Sequence, residues 1–328
     1  MKNNASFYIK KDSDVIVCEL CPHNCHLREG QTGLCSVRKV SDGELFTLNY
    51  GEVSSVAMDP IEKKPLYHYK PGRKILSVGS FGCNFSCGFC QNYSIAKEYP
   101  RTQYISPEEL ITIAAKAKEE DNIGIAFTYN EPSIWYEYIR EVASANHADL
   151  DIILVSNGYI SEKPLLEILP YVKAMNIDLK AFNKDFYKSV CKGNIENVLN
   201  TIKVASSKCH VEITTLVVPG YNDAYEELEE LVKWISSVDK DIPLHLSRYY
   251  PAYKFSAPPT SLEELIESYK IAIKHLSYVY IGNVLGTDAN TYCPHCHEML
   301  VKRNGFSAET LIHEDKCPSC GEQINIIL

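Results

Sequence analysis

No stretch of the chain is apolar for long enough to cross a bilayer, and the opening MKNNASFYIKKDSD lacks the apolar core of a secretion signal. Neither membrane insertion nor export is expected, which leaves a cytoplasmic protein. A long basic run is missing too. The 33 Lys and Arg are outnumbered by 42 Asp and Glu, for a net charge of −9. That balance argues against a nucleic-acid footprint while leaving room for a protein partner or a locally basic pocket. Cysteine, by contrast, is abundant, with 13 in 328 residues. In a chain without an export signal, that many thiols point to metal ligation in a reducing compartment rather than to disulfides. The length fits one large domain plus appendages, and 45% hydrophobic residues can build a sizeable core.

Eleven of the cysteines fall into three groups. The tightest is FGCNFSCGFCQN (81–92), where Cys83, Cys87 and Cys90 have the spacing C-x3-C-x2-C. Thiols this close on one loop suit a metal cluster better than a disulfide. Three thiolates are one short of the usual set for a [4Fe–4S] cluster, so the fourth iron would be open to another ligand. Gly82 and Gly88 let the backbone close around such a cluster, and Phe89 could shield one face. A three-Cys zinc site borrowing a distant His is the blander alternative. The second group, Cys18, Cys21, Cys25 and Cys35, could close one tetrahedral site, with Gly30 and Gly33 turning the chain back. Zinc and an iron–sulfur cluster use the same four sulfurs, and both remain open there. The third group is Cys293, Cys296, Cys317 and Cys320, C-x2-C-x20-C-x2-C, a zinc-ribbon spacing for which a rubredoxin-like iron is the alternative. Cys191 and Cys209 stand apart and read as buried, inert thiols.

Between these groups the pattern alternates. Strands are predicted at 75–79, 123–127, 151–155, 174–179, 211–218, 242–247 and 278–284. Helices are predicted from Ser106, which caps Pro107, and over 133–146, 194–206, 224–236 and 261–275. Short apolar strands separated by helices mean βαβ units and a parallel sheet. The fold class is therefore α/β, a partial or full parallel (β/α) barrel with its site at the strand C-termini. The expected organisation is a four-Cys segment over 1–40, a strand-and-loop lead-in over 41–74, the barrel over 75–286 and a zinc-ribbon-like module over 287–328.

Strand ends carry polar motifs in series: TYNEP (128–132), SNG (156–158), Asp178-Leu-Lys180, and PGYND (219–223). His245 alternates with Leu244 and Leu246, so it faces either the lumen or the helices. Asp178 and Lys180 could equally be a structural ion pair. His68, between two tyrosines, reads as a packed residue rather than a ligand.

The cysteine loop on a βα barrel resembles the radical S-adenosylmethionine (SAM) superfamily. TYNEP, SNG, DLK, VVPGYND and Pro-Leu-His resemble, in the same order, motifs of pyruvate formate-lyase activating enzyme. The N-terminal cysteines and MDPIEKKPLYHYKPG (58–72) are similar to the radical SAM member of the AmmeMemoRadiSam system. The resemblance implies a [4Fe–4S] cluster on Cys83, Cys87 and Cys90, with SAM chelating the open iron and cleaved to a 5′-deoxyadenosyl radical that abstracts hydrogen. It places the SAM amino group near Tyr129, Asn130 and Glu131, its polar head at Asp178 and Lys180, and its ribose near Asn157 and His245. Tyr129-Asn130 stands where the activating enzyme has Gly-Gly, and Val155 where it has Asp. An electron donor of the flavodoxin or ferredoxin type is implied, with a protein substrate activated as a glycyl radical or a small molecule as the alternative. A non-catalytic electron carrier or scaffold is the competing class, although a pure carrier gains nothing from an open iron.

Overall fold

The computed structural model describes residues 3–12 and 14–328. Its centre is an eight-stranded sheet. In chain order the strands are β1 Ser55–Pro60, β2 Lys74–Gly79, β3 Asn122–Phe127, β4 Asp151–Ser156, β5 Val172–Asp178, β6 His210–Val217, β7 Leu244–Arg248 and β8 Val279–Gly282. Each strand pairs with the next along the chain. β1 runs antiparallel to β2, and every later pairing is parallel. β1 and β8 are not paired with each other, so the sheet is an open, mostly parallel α/β partial barrel.

The parallel strands form where apolar runs alternate with helices that cover their outer face. Ile125, Phe127, Ile152, Leu154, Met175, Ile177, Ile213 and Leu246 share one core cluster with helix residues such as Ile139, Ile202 and Val232. The helix Pro107–Lys116 begins with Ser106 accepting from the Glu109 N–H while Glu109 returns the bond, and Pro107 stands at its first position. Leu262–Ala272 starts with the same reciprocal cap between Ser261 and Glu264. The stretch 133–146 instead splits into a 3-10 turn at Pro132–Trp135 and a helix at Tyr136–Ser144.

Facing inward, Ile75, Ala126, Ile153 and Ala174 pack against Ile61, Leu66 and Tyr69 of the segment between β1 and β2. That segment plugs the N-terminal end of the barrel and leaves the C-terminal end open. β1 itself went unpredicted because SVAMDP has no uniform apolar run, and it is half-buried along most of its length.

A three-stranded antiparallel ribbon, Thr291–Tyr292, Met299–Asn304 and Ser307–Thr310, carries the last cysteine group. It packs through Cys293, Leu300, Val301 and Ile312 onto Tyr67, Tyr278 and Tyr280. At the other end of the chain, Tyr8–Asp12, Val15–Cys18 and His26–Leu27 form a small antiparallel sheet. Among the described residues no helix is long and apolar enough to cross a membrane.

Candidate active site

The loop after β2 carries the three closely spaced cysteines to the open end of the barrel. Its path needs glycine. Gly82 has φ +84, and a Cβ there would lie 2.6 Å from the Cys35 carbonyl oxygen. Gly88 lies against the Phe255 ring, where a Cβ would come within 2.4 Å. Lys97 Nζ donates to the Cys83 carbonyl at 3.2 Å and to Ser86 Oγ at 3.2 Å, pinning the loop from outside. The segment after β7 lies across it, with Lys254 N–H donating to the Gly88 carbonyl and Phe255 edge-on to Phe89. Phe89 is thus packed between Phe255 and Phe186 at the side of the loop.

Cys83, Cys87 and Cys90 line a cavity of about 270 Å3 together with Tyr129, Asn130, Glu131, Asn157, Asp178 and Lys180. Strand alternation explains the convergence. Val155, Asp178, Thr214, Leu216 and Ser247 all project inward near the C-terminal ends of β4 to β7. Lys180 Nζ bonds Asp178 Oδ2 at 2.9 Å, with the two side chains 15% and 36% exposed. Burial disfavours the ammonium, yet Asp178 and the sulfurs of Cys87 and Cys191 outweigh it and hold the Lys180 pKa well above its usual range. The pair thus presents a fixed cation and a partly open carboxylate to the cavity.

The residues from TYNEP and SNG are occupied differently. Asn130 Oδ1 accepts from Ser80 N–H at 2.9 Å and its Nδ2 donates to the Gly82 carbonyl, so it braces the cysteine loop. Tyr129 takes φ +72, and its hydroxyl donates to Asp59 Oδ2 at 2.8 Å. Burial, reinforced by Asp59, pushes the Tyr129 phenol up to about 12. Glu131 accepts from Ser133 N–H, Ser156 Oγ and Asn157 N–H. Its carboxyl is nonetheless raised, because burial outweighs those bonds. Asn157 Nδ2 points at Cys83 Sγ, 3.7 Å away, and at Asn84 Oδ1, 2.9 Å away. Its contact is therefore with a cysteine of the loop.

His245 lies elsewhere. It faces the lumen, as alternation allows, but one layer deeper, where its Nε2 sits 2.6 Å from Glu212 Oε2. Glu212 also accepts from His210 Nε2, Tyr67 N–H and His68 N–H. The imidazole is held by a buried carboxylate below the cavity and is not among its lining residues. His68 is packed, as expected, between the Asn325 carbonyl and the Tyr280 hydroxyl.

Two residues act on the site through contacts that the sequence alone does not show. Asn222 of PGYND donates to the Lys180 and Leu216 carbonyls and accepts from Val218 N–H, stitching the loop after β6 to the Lys180 backbone. Cys191 is not isolated: its thiol is near enough to Cys87 to act on it electrostatically, and its carbonyl accepts from Ser86 N–H. Only the fold brings Cys191 across more than a hundred residues. Ser247 could have been found, since it shares the inward face of β7 with His245.

The donor set fits an iron–sulfur cluster with an open iron: three thiols converge on one cavity, the Phe85 N–H points at Cys83 Sγ from 3.4 Å, and bulky aromatics close the sides. At the far end of the chain, the sulfurs of Cys293, Cys296, Cys317 and Cys320 all lie within 4.8 Å of one another and could hold a metal ion.

The family model for the radical SAM superfamily matches residues 77–235. The uncharacterized protein MJ0808 of Methanocaldococcus jannaschii is 40% identical over 337 residues, covering 99% of both chains. The (2S)-3-sulfopropanediol dehydratase activating enzyme of Klebsiella oxytoca is 24% identical over 136 residues, 40% of this chain and 43% of its own. Among solved structures, SuiB of Streptococcus suis bound to precursor peptide SuiA has a TM-score of 0.52 at 12% identity, covering 71% of this chain and 55% of that one. That likeness concerns the fold alone. The matched span takes in the cysteine loop, Asn157 and the Asp178–Lys180 pair, and the chain belongs to the radical SAM superfamily.

Proposed function

We propose that this chain binds SAM between the Cys83–Cys87–Cys90 loop and the Asp178–Lys180 pair, cleaves it reductively, and uses the resulting radical on a partner protein. One observation carries the reading: three thiols and the ammonium of the Lys180–Asp178 ion pair line the same cavity at the C-terminal ends of a parallel sheet. Once bound there, a [4Fe–4S] cluster would supply one electron to the sulfonium, releasing methionine and a 5′-deoxyadenosyl radical.

The protein's part is to bind, orient and exclude water. Lys180 is a point charge suited to the SAM carboxylate, and Asp178 can accept from the SAM ammonium. Asn157 holds Cys83 in place, while Asn130 and Glu131 fix the backbone around the loop. Phe89, Phe186 and Phe255 shield one flank. His245 is assigned no contact with SAM, because Glu212 already engages it.

A protein as hydrogen donor is supported by the size of the cavity. At about 270 Å3 it lies below the usual range of ligand sites, so cluster and SAM would fill it. The hydrogen donor then has to be presented from outside, at the mouth. The likeness to an activating enzyme favours the same reading. A one-electron donor of the flavodoxin or ferredoxin type would complete the system.

The test is anaerobic reconstitution with iron and sulfide, reduction with dithionite and addition of SAM. 5′-Deoxyadenosine is the expected product, and its absence from protein with an intact cluster would sink the reading. Anaerobic pull-down followed by a search for a radical or altered residue on the captured protein tests the second half.

A further inference from the structure

The N-terminal cysteines play no part in the site described above, yet they sit directly behind it. The Cys35 carbonyl presses on Gly82, the residue before Cys83. Cys35 and Val37 share a buried cluster with Phe81 at the start of the cysteine loop. His23, between Cys21 and Cys25, bonds the carbonyl of Asn84 at 2.8 Å, and its ring meets Tyr159, which packs on Phe85. A single layer of packed residues therefore separates the two cysteine groups. On the far side the group approaches solvent. Cys25 is half-buried, and Leu34, beside Cys35, is 64% exposed.

Sulfur spacing distinguishes what the two four-cysteine groups can hold. In the C-terminal ribbon, Cys293 and Cys320 sulfurs are 3.6 Å apart and those of Cys296 and Cys317 3.5 Å apart. A single ion about 2.3 Å from each of four thiolates requires sulfurs about 3.8 Å apart, so the ribbon suits one zinc or iron. Among the described residues that is the group whose sulfurs all lie within 4.8 Å of one another, a limit that no three of Cys18, Cys21, Cys25 and Cys35 meet, nor Cys83, Cys87 and Cys90 together. The four N-terminal thiols still act on one another electrostatically, so they share one neighbourhood. Wide spacing is what a cubane cluster needs, because each thiolate binds a different iron.

The surroundings also suit an anionic group. Arg38 is 1% exposed and acts on both Cys18 and Cys35. Its terminal nitrogens bond Glu137 and the Ser6 carbonyl, but its Nε is buried with no partner. An unsatisfied buried N–H beside thiols is a donor waiting for an acceptor such as a cluster sulfur.

We infer that Cys18, Cys21, Cys25 and Cys35 hold a second iron–sulfur cluster, which relays electrons from an external carrier to the Cys83–Cys87–Cys90 site. The relay half of this inference rests on the SAM-cleaving reading. Each transfer moves one electron and no atoms. A low-potential carrier of the flavodoxin or ferredoxin class is oxidised at the solvent side. The SAM sulfonium is finally reduced, and its C5′–S bond breaks.

The direct measurement uses full-length protein with Cys83→Ala, Cys87→Ala and Cys90→Ala combined, reconstituted anaerobically. It is expected to keep about four acid-labile sulfides per chain against about eight in the parent, since a ribbon metal carries none. On reduction it should give a cluster EPR signal that SAM does not alter. No labile sulfide, with zinc bound in its place, overturns the inference. Independently, Cys21→Ser with Cys25→Ser in the parent should lower the ratio of carrier-driven to dithionite-driven SAM cleavage by roughly tenfold or more. An unchanged ratio overturns the relay. If the parent makes no 5′-deoxyadenosine even with dithionite while the triple variant keeps its sulfide, the relay falls with the SAM-cleaving reading and the second cluster stands.

Discussion

The two ends of the barrel are both lined with charge, and the difference lies in how much of it is already bonded. At the N-terminal end, the carboxylate of Glu212 accepts four donors, two from imidazoles and two from the backbone at Tyr67 and His68. Burial opposes ionisation there, but the bonds from His210 and His245 outweigh it and pull the Glu212 carboxyl far below its usual range. At the C-terminal end, Lys180 Nζ bonds only Asp178 among side chains that share its cavity. A saturated buried charge holds the fold together. A charge with donors to spare, facing a cavity, is available to a ligand.

The comparison can be broken from either end. The largest effect on activity is expected from Cys87→Ala, which should take SAM cleavage to background while the unfolding midpoint barely moves. Cleavage that survives would remove the loop from the chemistry. Next comes Glu212→Ala, which strands two imidazoles and two N–H groups in the floor. It should cost about 3–5 kcal/mol, read from chemical denaturation, without changing the SAM affinity of the folded fraction. A weaker SAM affinity at unchanged stability would turn the assignment of the two ends around.

Lys180→Ala should do the opposite and weaken SAM binding by about 1.5–3 kcal/mol in a titration, the worth of a hydrogen bond to a charged group. Its melting temperature should stay close to the parent's; a large drop with SAM affinity intact would make the pair structural.

The smallest effect concerns acid. Burial pushes the His68 pKa down to about 3, so the unfolded chain takes up a proton that the folded chain refuses. Stability from this group is complete above the free imidazole value of about 6.5 and is lost as pH falls toward 3. Between pH 6 and 4, His68→Phe should flatten the fall in stability by up to about 1.4 kcal/mol per pH unit. An unchanged slope would mean that other floor residues carry the acid sensitivity.

The same contrast marks where sequence reading succeeded. All seven parallel strands were legible, because short apolar runs set between helical periods admit little else. The cysteine loop was legible because its ligands are local. For His245, the period of two gave the correct face but carries no information on depth, and depth separates the cavity from the Glu212 layer. Asp59, which bonds Lys63, Lys64 and the Tyr129 hydroxyl, could not be placed, because its partnership with Tyr129 crosses 70 residues. The approach of Cys191 to Cys87 is of the same kind. Local spacing reports ligand sets, while long-range closure decides which neighbours tune them.

The plug beneath the lumen has a consequence for the order in which the molecule can be made. His68 Nδ1 meets the Asn325 carbonyl across 257 residues, and the backbone of Ile327 bonds both His68 and Lys70. On a ribosome, residues 61–70 wait for some 257 further residues to follow before these partners exist. Until then the sheet lacks its lower seal, and the nascent protein exposes Tyr278 and Tyr280, which the ribbon later covers. The ribbon thus arrives after the strands it covers, and its docking is the event that closes the vessel.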